Sequence, residues 1–186
     1  MRRGTIAAVA LASAACGGGS SSSPASVNGN INGQAFGAQD AISNVTTAGT
    51  DSVGLILVTN AASTCAKVSA AQVPRNGKAI LIGAATVSGS SFSAPATLGS
   101  YPVFTAATVL SHTGNVAQAL YQSVDASCNT NGDLEATGGT VTLTRIDANG
   151  DAGTFDLTFA DGSHVTGSFT ANKCTALTSN LTGTCI

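Results

Sequence analysis

Apolar and polar residues alternate most regularly in the last third of the chain. The pattern runs through 140–144, 154–160 and 164–170, where threonines and other polar residues fall between larger apolar ones. Successive side chains of a strand point to opposite faces, so a period of two predicts strands with one buried and one exposed face. Three such strands in succession are typical of an antiparallel meander. The predicted inward positions are Val141, Leu143, Phe155, Leu157, Phe159, Val165 and Phe169.

The pairing of these strands can be predicted because directly opposed residues share a face of the sheet. A two-residue turn at Asp161-Gly162 would oppose Phe159 to His164, which sets an inward ring against an outward one. We therefore predict a three-residue connection over 161–163, or a bulge. The predicted pairs are Phe159–Val165, Leu157–Gly167 and Phe155–Phe169, with Leu143–Phe155 across the preceding hairpin.

Two short, almost continuous apolar runs lie at 53–59 and 79–87. Their length and their β-branched residues favour central strands that are covered on both faces, and a buried helix is the alternative for each. Between the runs, Asn60 can cap a short helix over 61–71, and Pro74 blocks its extension. The residues predicted on one face of this helix are Ala61, Cys65 and Val68.

Turn-forming dipeptides separate the apolar runs along the chain. Asn-Gly and Asp-Gly steps of this kind are typical of hairpins. The pattern as a whole predicts an all-β fold, an antiparallel sandwich or a flattened barrel with one short helix. The dipeptides are Asn32-Gly33, Asn76-Gly77, Asn131-Gly132, Asn149-Gly150 and Asp161-Gly162.

The N-terminus has a different pattern. Arg2 and Arg3 precede an apolar stretch over 5–15, and Cys16 is followed by a Gly/Ser tract over 17–23. This layout resembles the signal peptide of a bacterial lipoprotein, with a relaxed lipobox that ends at Cys16. The apolar stretch is shorter than the ~20 residues that a membrane-spanning helix needs.

The resemblance implies that cleavage before Cys16 makes this cysteine the acylated N-terminus of a membrane-anchored chain. Ser13 stands where the family motif usually has Leu. The alternative is an ordinary signal-peptidase cut near Ala14 or Ala15, which leaves Cys16 as a free thiol. By the same resemblance, Gly17 favours the outer membrane or the cell surface. The predicted organisation is a signal peptide over 1–15, the lipidated cysteine and a tether over 16–26, and one β domain over 27–186.

The four remaining cysteines are an even set, as expected for disulfides in an oxidising compartment. No Cys-x-x-Cys spacing occurs, which argues against a zinc site or a redox motif. Four cysteines allow three pairings. We favour a Cys174–Cys185 bridge, because the tail has no strand pattern of its own, together with a Cys65–Cys128 bridge. The other pairings stay open.

Asp147, Asn149 and Asp151 have a spacing that can place oxygen ligands around Ca²⁺. The sequence departs from the helical calcium loop, because Ala152 replaces the expected Gly and Thr158 stands where a bidentate Glu belongs. The same residues also suit the tip of a hairpin. A weak calcium site is therefore the one cofactor that the sequence suggests.

Charge and aromatic content limit the classes of function. Only 9% of the residues are charged, and the chain without residues 1–15 has a formal charge of −4, from (7 − 2) − 9. Nucleic-acid binding requires clustered Lys and Arg, so the sequence predicts no nucleic-acid partner. An aromatic content of 4% without Trp leaves few stacking platforms for sugars or single strands. His112 and His164 are interpreted as solvated, because neither a Gly-x-Ser-x-Gly nor a His-x-x-x-His motif accompanies them.

The stretch from Gly138 to Cys174 and the hairpin sequence INGQAF at 31–36 together resemble a group of small secreted bacterial lipoproteins. The resemblance consists of strands, turns and a terminal cysteine, so it implies a fold and a location without an activity. We expect a lipid-anchored envelope or cell-surface protein with a non-enzymatic structural or binding role, whose anchor makes the membrane its partner. One alternative is a small-ligand carrier that uses a barrel interior. Another is a hydrolase with His112 or His164 beside a Ser and a carboxylate.

Overall fold

The computed structural model of the protein describes residues 24–178 and 183–186. These residues form mostly β-strands, which confirms the predicted all-β class with one short helix. The strands are β1 Ala25–Ile31, β2 Gln34–Ala35, β3 Asp40–Ala48, β4 Asp51–Thr59, β5 Gln72–Val73, β6 Lys78–Ser88, β7 Ser91–Ser93, β8 Gly99–Pro102, β9 Gly114–Ser123, β10 Leu134–Asp147, β11 Gly150–Phe159, β12 His164–Thr170, β13 Asn172–Lys173 and β14 Thr184–Cys185; the helix α1 is Thr64–Ser69, and a 3₁₀ turn spans Val109–Ser111.

Twelve of these strands form one sheet that is curled into a half-barrel. Its order is β13-β3-β4-β6-β9-β10-β11-β12-β1-β2, with β7 paired to β6 and β8 paired to β10. Neighbouring strands are antiparallel except β13, which continues the chain after β12 and runs parallel to β3. β11 and β12 therefore approach β3, with β13 between them. A separate parallel pair joins β5 to β14. β1 begins at Ala25, inside the stretch assigned to the tether.

The concave side of the sheet holds the main core. All seven inward positions predicted from the meander are buried, each with at most 3% of its surface exposed. Tyr101, Phe159 and Leu157 are among the largest fully buried side chains, and Tyr101 satisfies its hydroxyl by donating to the carbonyl of Thr97 at 2.7 Å. These side chains belong to one buried cluster that joins the meander to β4, β6 and β9.

β4 and β6 are covered on both faces, as the two continuous apolar runs predicted. Ile56 and Val58 belong to the interior cluster, whereas Leu55 and Leu57 pack on the outer face against Leu177 and its neighbours. The outer cover comes from α1, from the chain after β13 and, further along, from the 3₁₀ turn. A continuous apolar run is the sequence pattern that such two-sided burial requires.

The predicted faces of the meander are right, but the predicted register is wrong by two residues. Phe155 lies opposite Gly167, and Leu157 lies opposite Val165. Across the preceding hairpin, Phe155 lies opposite Val141 and Gly153 takes the place opposite Leu143. Residues 160–163 connect β11 to β12, and the N–H of Phe159 donates to the carbonyl of Ser163 at 2.9 Å, which leaves 160–162 as the loop between these two residues.

Two glycines explain this register. A Cβ atom on Gly167 would lie 2.3 Å from Cζ of Phe155, and one on Gly153 would lie 3.1 Å from Cζ of Phe169. Each phenylalanine ring therefore lies over a glycine of the neighbouring strand. In this register the rings of Phe155 and Phe169 also stack, with their centroids 6.5 Å apart.

The helix is shorter than predicted, and Asn60 does not cap it. The Asn60 side chain instead accepts from the N–H of Lys78 at 2.7 Å and donates to the carbonyl of Asn76 at 3.0 Å. The first turn of α1 is capped from β3, where Asp40 Oδ2 accepts from the N–H of Thr64 at 2.8 Å. This cap lies 24 residues away in sequence, so a local capping pattern could not indicate it.

Candidate functional site

Two disulfides fasten an outer layer onto the sheet. Cys65 of α1 is bonded to Cys174, and Cys128 is bonded to Cys185 of β14. The four cysteines are thus paired, but the favoured pairing Cys174–Cys185 with Cys65–Cys128 is wrong. Its premise of a tail without strands fails, because β13 places Cys174 beside β3 under α1, whereas β14 places Cys185 beside β5.

A cleft of about 460 Å³ lies between this outer layer and the sheet. Its floor is the outer face of β4, β6 and β9, with Leu57 and Ala79, and continues to Val124 directly after β9. Its roof consists of α1, β5 and β14, and contributes Val68 and Val73. The Cys128–Cys185 disulfide lies in its wall. Sites for small ligands commonly have volumes of roughly 300–1,000 Å³.

Polar groups also line the cleft. Gln122 Nε2 donates to Asp133 Oδ1 at 2.8 Å. The hydroxyl of Thr64 donates to the carbonyl of Ala61 at 2.9 Å, so it is satisfied within its own turn. The ammonium group of Lys67 donates to the carbonyl of Ala62. The polar and charged lining residues are Thr59, Thr64, Lys67, Gln72, Lys78, Gln122, Thr130 and Asp133.

The position of the cleft changes the carrier hypothesis. That hypothesis places a ligand inside the barrel, but side chains occupy the described interior. The cleft lies on the opposite, convex face of the same strands. A ligand-binding role would therefore use the space under α1 and β14.

The calcium candidates occupy the β10–β11 hairpin. Asp147 lies opposite Gly150, and Asp151 lies opposite Ile146. Asp151 therefore shares a face with Ile146, and the next residue, Asp147, points to the other face. Asp147 Oδ1 accepts from the N–H of Asn149 at 2.7 Å, which is the bond of a turn. In the described part of the chain, no group of three or more His, Cys, Asp or Glu side chains could hold a metal ion. The structure does not bring the three candidates together as a site.

Asp151 lies on β11 at the point where this strand approaches β3. Its N–H donates to Ser43 Oγ of β3 at 3.2 Å. Burial of the half-buried carboxyl is the main cause that raises its pKa above the ordinary 3.8, and Asp147 adds to the rise. The Ser43 hydroxyl and the charges of Lys173 and Arg145 oppose the rise in pKa.

Asp151→Asn is expected to raise the melting temperature at neutral pH. A carboxyl with a raised folded-state pKa binds its proton more tightly in the folded protein, so stability falls as pH rises from about 3.8 through the folded-state pKa. The loss of stability persists at higher pH, and asparagine removes it because its side chain is not ionised. Thermal unfolding at a series of pH values checks this: the advantage of the variant should disappear below the ordinary carboxyl pKa. A variant that melts below the parent at pH ~7 would contradict the sign of the shift.

The two histidines lie apart. His164 is exposed on the outer face of β12, as predicted, with Nε2 2.8 Å from Asp156 Oδ1. His112 is half-buried and stacks on Phe104 with the ring centroids 3.6 Å apart. Among the described residues, no hydrogen bond joins either imidazole to a serine hydroxyl. The arrangement therefore lacks the linked nucleophile, base and orienting group of a hydrolase.

Sequence reasoning did not identify the residues of the cleft. They come from α1, from β5 and β14, from strands of the large sheet and from the loop that follows β9, and no short motif contains them. The cysteines themselves were one available signal. Cys65 lies at the start of α1 and Cys128 follows the end of β9, and each could have been paired with a C-terminal cysteine. The correct pairing would have placed the C-terminal chain over the outer face of the sheet.

Cys16 lies outside the described residues, as do the signal peptide and most of the tether, so their roles stay predictions. Within 24–178 and 183–186, no helix is long and apolar enough to span a membrane. No protein-family model matches the chain, and neither a curated protein nor a solved structure shows significant similarity to it.

Proposed function

We propose that the chain is a bacterial lipoprotein, anchored through acyl chains on Cys16, whose β domain has a non-enzymatic structural or binding role at the cell envelope. The outer membrane or the cell surface is the proposed location. The anchor makes the membrane its partner, and the tether that follows Cys16 separates the β domain from the lipid.

One observation carries this proposal: the disulfides use all four cysteines that follow Cys16. Cys65–Cys174 and Cys128–Cys185 require an oxidising compartment in an ordinary bacterial protein. An exported chain needs a signal, and the apolar stretch over 5–15 with its two arginines provides one. Cys16 is then the odd cysteine, located where a lipoprotein carries its acyl chains.

A non-enzymatic role is supported by the chemistry of the described residues. The His164–Asp156 pair is on an open face, with about half of each side chain exposed. Catalytic groups usually work in a concave site that excludes water, whereas both side chains of this pair are open to solvent. The cleft contains neither histidine, and its one acidic side chain, Asp133, is bonded to Gln122.

Cys16→Ser is expected to abolish acylation of the protein, because serine cannot carry the thioether-linked lipid. Metabolic labelling with palmitate of cells that express the full chain checks this, with Ser20→Ala in the tether as a matched control that stays labelled. A parent protein without label, or a Cys16→Ser protein that is labelled as strongly as the parent, would contradict the anchor.

A further inference from the structure

The cleft is a preformed gap between two surfaces that are cross-linked. The roof is tied to the rest of the chain at α1 by Cys65–Cys174 and at β14 by Cys128–Cys185. Apolar surfaces that face each other across water gain free energy by closing together. Val68 packs against the cluster that contains Leu57, and beside this contact a space of about 460 Å³ stays open between floor and roof. A ligand that fills this space buries its own apolar surface and that of the cleft, and the protein does not have to become more ordered to bind it.

The lining requires a ligand with an apolar body. Leu57, Ala79 and Val124 of the floor face Val68 and Val73 of the roof. No aromatic side chain lines the cleft, so stacking on a planar ring system is not available. Aliphatic walls of this kind suit an aliphatic chain.

The charges at the cleft favour an anionic end. Lys67 and Lys78 line it, and each ammonium group donates to a backbone carbonyl, that of Ala62 and that of Ala35 respectively. Among the described residues, the ion pair of a Lys or Arg with a carboxylate is Arg145–Asp147, so neither lysine has a carboxylate partner. Asp133 accepts a hydrogen bond from Gln122, and the lining therefore has two cationic side chains against one acidic side chain.

The local excess of cationic side chains at the cleft contrasts with the net negative charge of the domain. Residues 24–186 contain five Lys and Arg against nine Asp and Glu, a formal charge of 5 − 9 = −4. An anion would therefore be repelled by the domain in general and attracted at the cleft. Charge complementarity of this kind selects the site and the orientation of a ligand.

We infer that the cleft binds a small amphipathic anion, with an aliphatic chain between floor and roof and a carboxylate at Lys67. The inference assigns a ligand class to the binding role proposed above. It does not depend on the anchor at Cys16.

Dodecanoate is the probe that tests this inference. The sample is the full chain with Cys16→Ser, exported so that both disulfides form, because a protein without its own acyl chains cannot fill the cleft with them. Isothermal titration should show saturable binding of one dodecanoate per protein. Dodecyltrimethylammonium has the same chain and the opposite charge, and it should bind about tenfold more weakly or worse, which is the loss expected of one charge-assisted hydrogen bond.

Two variants with matched controls locate the site. Lys67→Glu should weaken dodecanoate binding about tenfold or more, whereas Lys173→Glu, on an exposed lysine of β13 outside the cleft, should leave it unchanged. Ala79→Leu fills the floor and should also weaken binding, whereas Ala152→Leu on the outer side of β11 should not.

The inference is overturned if the folded, disulfide-bonded protein binds no dodecanoate, or if both head groups bind equally well. Equal loss in Lys67→Glu and Lys173→Glu would also overturn it, because the attraction would then come from the overall charge. Each of these results leaves the membrane anchor untouched, since the sample lacks it, so failure here is distinguishable from failure of the proposed function.

Discussion

Replacing Cys65 and Cys174 together by alanine is expected to lower the free energy of unfolding by about 4–5 kcal/mol. The two cysteines are 109 residues apart, so their bond removes a large amount of chain entropy from the unfolded state. Cys174 is also almost fully buried among Leu177, Ile42 and their neighbours, and its loss loosens the packing of the outer layer. Chemical denaturation of the oxidised protein measures the change.

A thiol count on the same protein separates the observed pairing from the alternatives. With Cys16→Ser as background, Cys65→Ala/Cys174→Ala should have no free thiol, because Cys128 and Cys185 remain bonded to each other. The matched control, Cys65→Ala/Cys128→Ala, removes one partner from each bond. It should expose the thiols of Cys174 and Cys185. The reverse outcome in these two proteins would contradict the pairing.

Gly167→Ala is expected to destabilise the protein by about 2–3 kcal/mol, as overpacking of a close-packed core does. The added Cβ atom would lie 2.3 Å from the carbonyl oxygen of Ser26 on β1 and 2.3 Å from Cζ of Phe155 on β11. One obstacle is backbone and the other is a buried ring, so neither can move without disturbing a neighbouring strand. Denaturant unfolding checks the size of the effect.

Gly138→Ala provides the matched control in the same sheet. Nothing lies within 4 Å of its added Cβ atom. The change also reduces the conformational freedom of the unfolded chain, so we expect stability to stay the same or to rise by up to about 1 kcal/mol. Similar losses of stability in both variants would show that Gly167 matters only as a glycine within a strand. The Phe155 ring would then not set the register. Phe155→Leu should recover part of the loss in Gly167→Ala.

The faces of the strands could be predicted because burial leaves a local pattern. Val141 and Leu143, or Leu157 and Phe159, are two residues apart, and alternation within one strand is enough to place both inward. The register could not be fixed in the same way, since a shift of two residues keeps every side chain on its face. The registers differ in how the volumes of opposed side chains fit, since a large ring needs a glycine on the neighbouring strand. The pair Gly167–Phe155 can be recognised only when both strands are considered together.

The disulfides and the cleft depend on contacts between distant parts of the chain. β13 and β14 have two residues each, too few to produce a periodic pattern. Their positions are set by pairing with β3 and β5, more than a hundred residues earlier. The cap of α1 by Asp40 is of the same kind. Sequence patterns therefore predicted the sheet, and the outer layer that makes the cleft required the tertiary structure.

Peptide mass mapping without reduction, on protein extracted from the membranes of cells that export it, tests the central claim most directly. We predict an N-terminal peptide that begins at an acylated Cys16, together with two cross-linked peptide pairs, Cys65 with Cys174 and Cys128 with Cys185. An intact peptide that still joins residues 15 and 16, or reduced thiols at these four cysteines, would contradict an anchored protein in an oxidising compartment.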